Sequence, residues 1–229
     1  MGEFLPVLRT SPVFRGVTDA EIESMLGCLN ARTGEYRKGS YLLRAGDRLE
    51  AVGLLLSGSV LIVQEDFWGN RNLMARAAAG QLFAESFACA EDAVLSVSVV
   101  ADEACCVMWL DVRRILKICP TACAHHSLMI RNLLADIAEK NLRFNEKITH
   151  MSRRTTRDKL LSYLSSEAQR HGSPDFAIPF SRQQLADYLC VERSAMSAEL
   201  GRLRDAGVLR FEKNHFSLCG QDAAGAARS

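Results

Sequence analysis

The stretch "FAESFACAEDAVLSVSVVA", residues 83–101, sets one carboxylate and one thiol among small and apolar residues. A buried Glu85 can anchor a ligand that donates hydrogen bonds, or it can cap a turn, and the spacing leaves both open. Phe83, Glu85, Ser86, Cys89, Leu95 and Ser96 are the candidate lining of a small-molecule pocket. Cys89, with Cys119, Cys123, His125 and His126, also offers soft donors for a metal or haem, or a redox thiol. Cys119 and Cys123 share a face if a helix already runs there. Against that chemistry, no pair forms CxxC, Cys105 and Cys106 are adjacent, and free cysteine packs readily as a small hydrophobe. No metal site is assigned, and the cofactor stays unknown.

A second set of residues suits contact with a polyanion. "SRQQLADYLCVERSAMSAELGRLRDAGVLRFEKNHFSL" opens with Ser181, a helix-capping residue, ahead of Leu185, Ala186 and Leu189. A tight connection at Cys190–Glu192 leads to a second helix. There Met196, Leu200 and Leu203 recur at i, i+4 and i+7 and form one buried face. That phase turns Arg193, Ser194, Ser197 and Ala198 outward at the N-terminal end, the end that enters a major groove. Gly207 ends the helix, and "VLRFEKNHFSL" folds back as a hairpin. The pattern is a winged helix-turn-helix.

The elements that must position these groups are of three kinds. Residues 31–112 are short apolar or alternating runs punctuated by Gly39, Gly46, Gly58, Gly69 and Gly80, the pattern of a β-sandwich or jelly roll. From residue 120 the period changes. Ile130, Leu134, Ile137, Asn141, Phe144, Ile148 and Met151 are spaced 4-3-4-3-4-3, a heptad seam on one long helix. A polar residue within such a seam sets register between facing helices, so a parallel homodimer through this helix is expected. The expected fold class is α+β. A jelly-roll sensor with an N-terminal helix fills 1–119, the dimer helix 120–151 and the winged helix-turn-helix 152–220. A small polar tail, expected to be disordered, fills 221–229.

Composition narrows the classes. The 229 residues are 48% hydrophobic and 24% charged, as in globular proteins that bury real cores. Pro6, Arg9 and Pro12 interrupt the N-terminal stretch where an export signal needs an apolar run, and no segment is long and apolar enough to span a bilayer. A cytoplasmic protein with reduced thiols is therefore expected, although it has eight cysteines. The net charge of +1 is uneven: residues 1–150 carry −2 and residues 151–219 carry +3. The basic excess coincides with the helix-turn-helix. No catalytic triad or paired-carboxylate pattern stands out, so no enzyme is expected.

"YRKGSYLLRAGD", "LLLSGSV", "EKITHMSRRTTRDKLLSYL" and "SRQQLADYLCVERSAMSAEL" together resemble the Crp/Fnr family of bacterial transcription regulators, in that family's order and over nearly the full length. The resemblance implies that Arg182 and Gln183 touch DNA phosphates and that Arg193, Ser194, Ser197 and Ala198 touch bases. Arg193 is the candidate for a bidentate contact to guanine. Ser194 and Ala198 depart from the catabolite-activator and oxygen-sensing branches, Cys190 replaces a common turn Gly, and Glu199 replaces a common apolar residue. Neither branch's target sequence carries over. The resemblance also implies a phosphate cassette of Gly-Glu followed by Arg and Ser or Thr. Here Glu85 and Ser96 keep their places, but Ala84 replaces the Gly and Leu95 the Arg. A buried phosphate without a cation is badly compensated, so cyclic AMP and cyclic GMP are expected not to bind. No cysteine precedes Cys28, so an N-terminal iron–sulfur cluster lacks its ligands. The expected protein is a homodimeric regulator that binds an inverted-repeat operator in double-stranded DNA. It would answer to an unidentified effector and meet RNA polymerase if it activates. The alternative is a redox-, haem- or metal-sensing module whose DNA binding is secondary.

Overall fold

The computed structural model describes residues 2–116 and 124–219. Cys119, Cys123, the expected helix start at 120–123 and the tail 221–229 lie outside the described residues. The chain forms two compact units, Met1–Asn141 and Leu142–Ser229.

In the first unit, α1 (Leu5–Thr10) and α2 (Asp19–Cys28) precede eight strands. Thr18 and Glu21 close a reciprocal capping box at the start of α2. The strands are β1 (Arg32–Tyr36), β2 (Tyr41–Leu43), β3 (Ala51–Ser57), β4 (Ser59–Glu65), β5 (Arg71–Ala78), β6 (Leu82–Phe83), β7 (Ser98–Ala101) and β8 (Cys105–Asp111). A short helix α3 (Glu85–Cys89) follows β6, and α4 (Val112–Leu116) follows β8. Two antiparallel sheets result, ordered β1-β8-β3-β6 and β2-β7-β4-β5. This is the jelly roll expected from the glycine-punctuated runs. The run "VGLLLSGSVLIVQE" is split into β3 and β4 at Gly58, whose φ is +74° and where a Cβ would overlap the Ala104 carbonyl.

Leu43, Leu55, Val60, Leu95, Val99 and Val107 fill the space between the sheets. A second core lies on the outer face of the first sheet, where Leu54, Leu56, Met108 and Leu110 meet Leu8, Phe14, Ile22 and two residues of the long helix, Met129 and Leu133. Phe83 lies against Gly53, its register partner across the sheet, where any Cβ would overlap the ring. Trp109 meets Phe83 edge-on at 5.4 Å and donates its indole N–H to Tyr36 Oη at 3.1 Å. The β4–β5 hairpin ends in Phe67 and Trp68, 95% and 82% exposed, on a turn held by Asp66, which accepts from the amides of Trp68 and Asn70.

Helix α5 (Ala124–Met151) runs through the division between the units. It carries two stripes, not one. His126, Met129, Leu133 and Asp136 are buried in the first unit, and Lys140 follows in the same phase. The expected seam runs beside it. Ile130 and Ile137 are half-buried against the unit's own core, whereas Leu134, Phe144 and Ile148 are exposed and Asn141 faces solvent. The seam residues therefore divide between packing within the unit and an open apolar stripe.

The second unit comprises the end of α5, α6 (Thr156–His171), β9 (Asp175–Ala177), α7 (Arg182–Leu189), α8 (Arg193–Asp205), β10 (Leu209–Glu212) and β11 (His215–Leu218). Gly172 ends α6 in the left-handed conformation, as expected. The hairpin β10–β11 gains a third strand, β9, which the sequence reading did not include. Leu160, Leu164, Leu185, Leu189, Leu200, Leu203, Leu209 and Phe216 form the core.

Candidate DNA interface and sensor site

Helix α7 starts where Ser181 accepts from Gln184 N, and Gln184 Oε1 accepts from Ser181 N. Its end is held by Lys159, whose ammonium donates to the carbonyls of Leu189 (3.3 Å) and Cys190 (3.4 Å). Cys190 takes the left-handed conformation at φ +50°, the conformation a turn Gly would supply. With the turn fixed, Met196, Leu200 and Leu203 bury one face of α8, and Arg193, Ser194, Ser197 and Ala198 stand exposed on its first two turns. Arg193 has no ion pair among the described residues.

Arg182 and Glu199 make contacts that the sequence pattern does not specify. Arg182 is half-buried, with its guanidinium 4.6 Å over the Phe211 ring and 5.0 Å over Phe216, both in the wing. Its Nη2 is enclosed without a hydrogen-bond partner, and burial pushes its pKa down. The side chain ties α7 to the wing. Glu199 is buried and pairs with Arg157 of α6 at 3.3 Å and with Arg202 at 2.8 Å. Gln183 is exposed and donates to Asp187 at 2.7 Å.

At the root of this unit, Lys147 is buried with its ammonium 4.8 Å from the Tyr188 ring centre. Burial lowers the lysine pKa to about 8 and raises that of Tyr188 to about 12. His150 bonds Ser162 Oγ at 2.8 Å, and burial lowers its pKa.

In the first unit the six candidate effector residues differ in exposure. Phe83 and Leu95 are core residues, each 2% exposed, and Ser86 and Ser96 face solvent. Leu95 is pinned by its own backbone, which donates to Asp47 O at 2.9 Å and accepts from Gly46 N at 2.8 Å. Ala84 takes the left-handed conformation at φ +62°, as a Gly would, and starts α3. Glu85 is buried and pairs with Lys140 of the long helix at 3.1 Å. Cys89 alone of the six lines a 620 Å³ cleft with Leu49, Ala88 and Val112, rimmed by the pairs Arg48–Asp92 and Arg113–Glu50. Burial first, and Glu85 second, raise its pKa, which disfavours the thiolate that soft metals and redox chemistry require. Among the described residues no group of three His, Cys, Asp or Glu side chains is placed to hold a metal ion.

The sequence reading missed Lys140 and Arg157. A signal for the first existed: Asp136 and Lys140 extend the 3-4 spacing of His126, Met129 and Leu133, so a charged pair occupies an otherwise inward-facing stripe.

Known proteins share both halves of this arrangement. Residues 33–121 match the model of the cyclic nucleotide-binding domain, and residues 158–222 match that of the Crp-like helix-turn-helix domain. The chain belongs to the Crp/Fnr family. Family membership makes it a transcription regulator with an effector-binding-type domain ahead of a DNA-binding helix-turn-helix. No curated protein sequence matches it. Solved structures of Crp/Fnr-type regulators share its fold. FixK2 from Bradyrhizobium japonicum is 19% identical, over 86% of this chain and 96% of its own, with a TM-score of 0.64. The c-di-GMP-responsive regulator CLP of Xanthomonas campestris is 18% identical, over 87% and 98%, with a TM-score of 0.68. A mutant CooA from Carboxydothermus hydrogenoformans is 19% identical, over 92% and 97%, with a TM-score of 0.66. Among the described residues no helix is long and apolar enough to cross a membrane.

Proposed function

We propose that this Crp/Fnr protein works as a homodimer that reads an inverted-repeat operator, under the control of an effector that is not a cyclic nucleotide. The observation that carries the DNA-reading half is the exposed set Arg193, Ser194, Ser197 and Ala198 at the N-terminal end of α8. Arg193 reads a guanine edge, and the two serines and Ala198 complete a short base-contacting face. The open apolar stripe of Leu134, Phe144 and Ile148 supports pairing of two long helices. Domain limits of 1–119, 120–151 and 152–220 remain our functional division, with the effector acting on the first part and RNA polymerase meeting the dimer if it activates.

Leu95 supports the exclusion of cyclic nucleotides. Where the cassette needs a cation for a phosphate, a leucine is buried between the sheets. Selection from random duplexes tests the DNA reading. Enriched half-sites about one helical turn apart support it, and no enrichment overturns it. Titration calorimetry with cyclic AMP tests the exclusion, which micromolar binding would refute.

A further inference from the structure

The last turn of α5 inside the first unit carries a charge arrangement that DNA reading does not use. Lys140 Nζ lies 3.1 Å from Glu85 Oε1 and 2.9 Å from the Leu82 carbonyl. Asp136 Oδ2 is 2.7 Å from the same nitrogen, as an ion pair off the line of a hydrogen bond. Three oxygens, from α3, β6 and α5, thus surround a group that has three N–H donors. The Glu85 and Asp136 side chains are 6% and 9% exposed. Two buried carboxylates without a cation repel each other and lose hydration, so the ammonium is what allows both to be there. Glu85 Oε2 still has no hydrogen-bond partner. Lys140 also stands one residue before the division at Asn141, on a helix that continues unbroken into the second unit. The contact therefore fixes the helix where it leaves the sensor.

We propose that Lys140 is a tethered internal ligand, holding the long helix on the Glu85–Asp136 pair in place of a small-molecule effector, in a site selective for a primary ammonium. The tether keeps the ammonium at a high effective concentration, so operator binding needs no small molecule at this position. A free amine acts there only by displacing Lys140. The effector of the proposed function acts by that displacement. The DNA readout rests on the proposed function, and the melting readout below does not.

The test uses full-length protein, unfolded in guanidinium, dialysed and refolded to strip small molecules. The stripped parent is expected to bind its selected operator as tightly as before. Lys140→Ala is expected to bind about tenfold more weakly. Lys140→Met keeps the apolar stem, and is expected to weaken binding similarly. Millimolar propylammonium, the fragment deleted in Lys140→Ala, should restore that variant's operator affinity and raise its melting temperature while leaving the parent unchanged. Tetramethylammonium has no N–H and should do neither. A plain structural ion pair would change melting without ammonium-specific recovery of DNA binding. The proposal is overturned if stripping abolishes operator binding by a parent that bound before, if Lys140→Met binds like the parent, or if the two ammonium ions act alike. A parent that binds no duplex from the outset refutes the DNA reading instead, and absence of a propylammonium melting shift in Lys140→Ala then overturns the internal ligand on its own.

Discussion

At the scale of single residues, the two halves differ in how far side-chain type reveals role. Leu95 was readable because a missing charge is a chemical absence, and burial adds why it cannot be reversed by one substitution. Leu95→Arg places a guanidinium between two apolar sheets with no partner. It is expected to lower the unfolding free energy by about 3 to 5 kcal/mol in urea titrations and to confer no cyclic AMP binding in calorimetry. Arg182 was readable as a cation but not as a stacked one, because the aromatic rings that hold it lie some thirty residues later in the chain. Arg182→Ala is therefore expected to lower the stability of the second unit by about 1 kcal/mol in urea titrations. Arg193→Ala is expected to differ. It leaves melting unchanged, costs about 1–3 kcal/mol at the selected operator and relaxes preference at one position per half-site. Equal loss on selected and scrambled duplexes would remove Arg193 as a base reader.

At the scale of elements, α5 shows where periodicity runs out. Its 4-3 spacing gives a helix and two adjacent stripes, but spacing alone does not say which stripe meets the chain's own core. Packing against the jelly roll decides it, and draws Ile130 and Ile137 partly inward. Ile137→Asp is consequently a poor test of dimerisation, since it disturbs the sensor core as well. Leu134, 67% exposed, separates the two effects. Leu134→Asp is expected to give a monomer by light scattering with unchanged helix content by circular dichroism, and a monomeric parent would defeat the dimer reading. The other end of the helix makes a pH prediction. Lys147 has a folded pKa of about 8, below its ordinary value of 10.5. Between those values the unfolded chain binds more protons, so stability rises with pH from about 8 upward. Tyr188 works the other way above its ordinary value of 10, where the unfolded phenol ionises and the folded one waits until about 12. The parent is therefore expected to gain stability relative to Lys147→Met as the pH rises from 8 to 10. Urea titrations across that range check it.

For the whole molecule, the order of jelly roll, long helix and winged helix-turn-helix was legible because each part has its own period: two for strands, three and four for helices, and a capped pair with a tight turn. What was not legible depended on contacts between distant segments. The β9 strand is three residues long and is defined by its pairing with β11. The short α3 carries Glu85 and reads as part of an apolar run until its partner Lys140, fifty-five positions later, is placed beside it. Side chains that balance one another's charge in a core leave little trace in local pattern. The two tryptophans give this molecule a built-in optical contrast. Trp68 stands in water at a hairpin tip, so its emission is red-shifted and open to iodide quenching. Trp109 is half-buried, bonded to Tyr36 and edge-on to Phe83, two residues before Glu85. Iodide silences the first and leaves the second, so unlabelled protein carries a fluorescent witness beside Phe83 and a separate one at the β4–β5 hairpin tip.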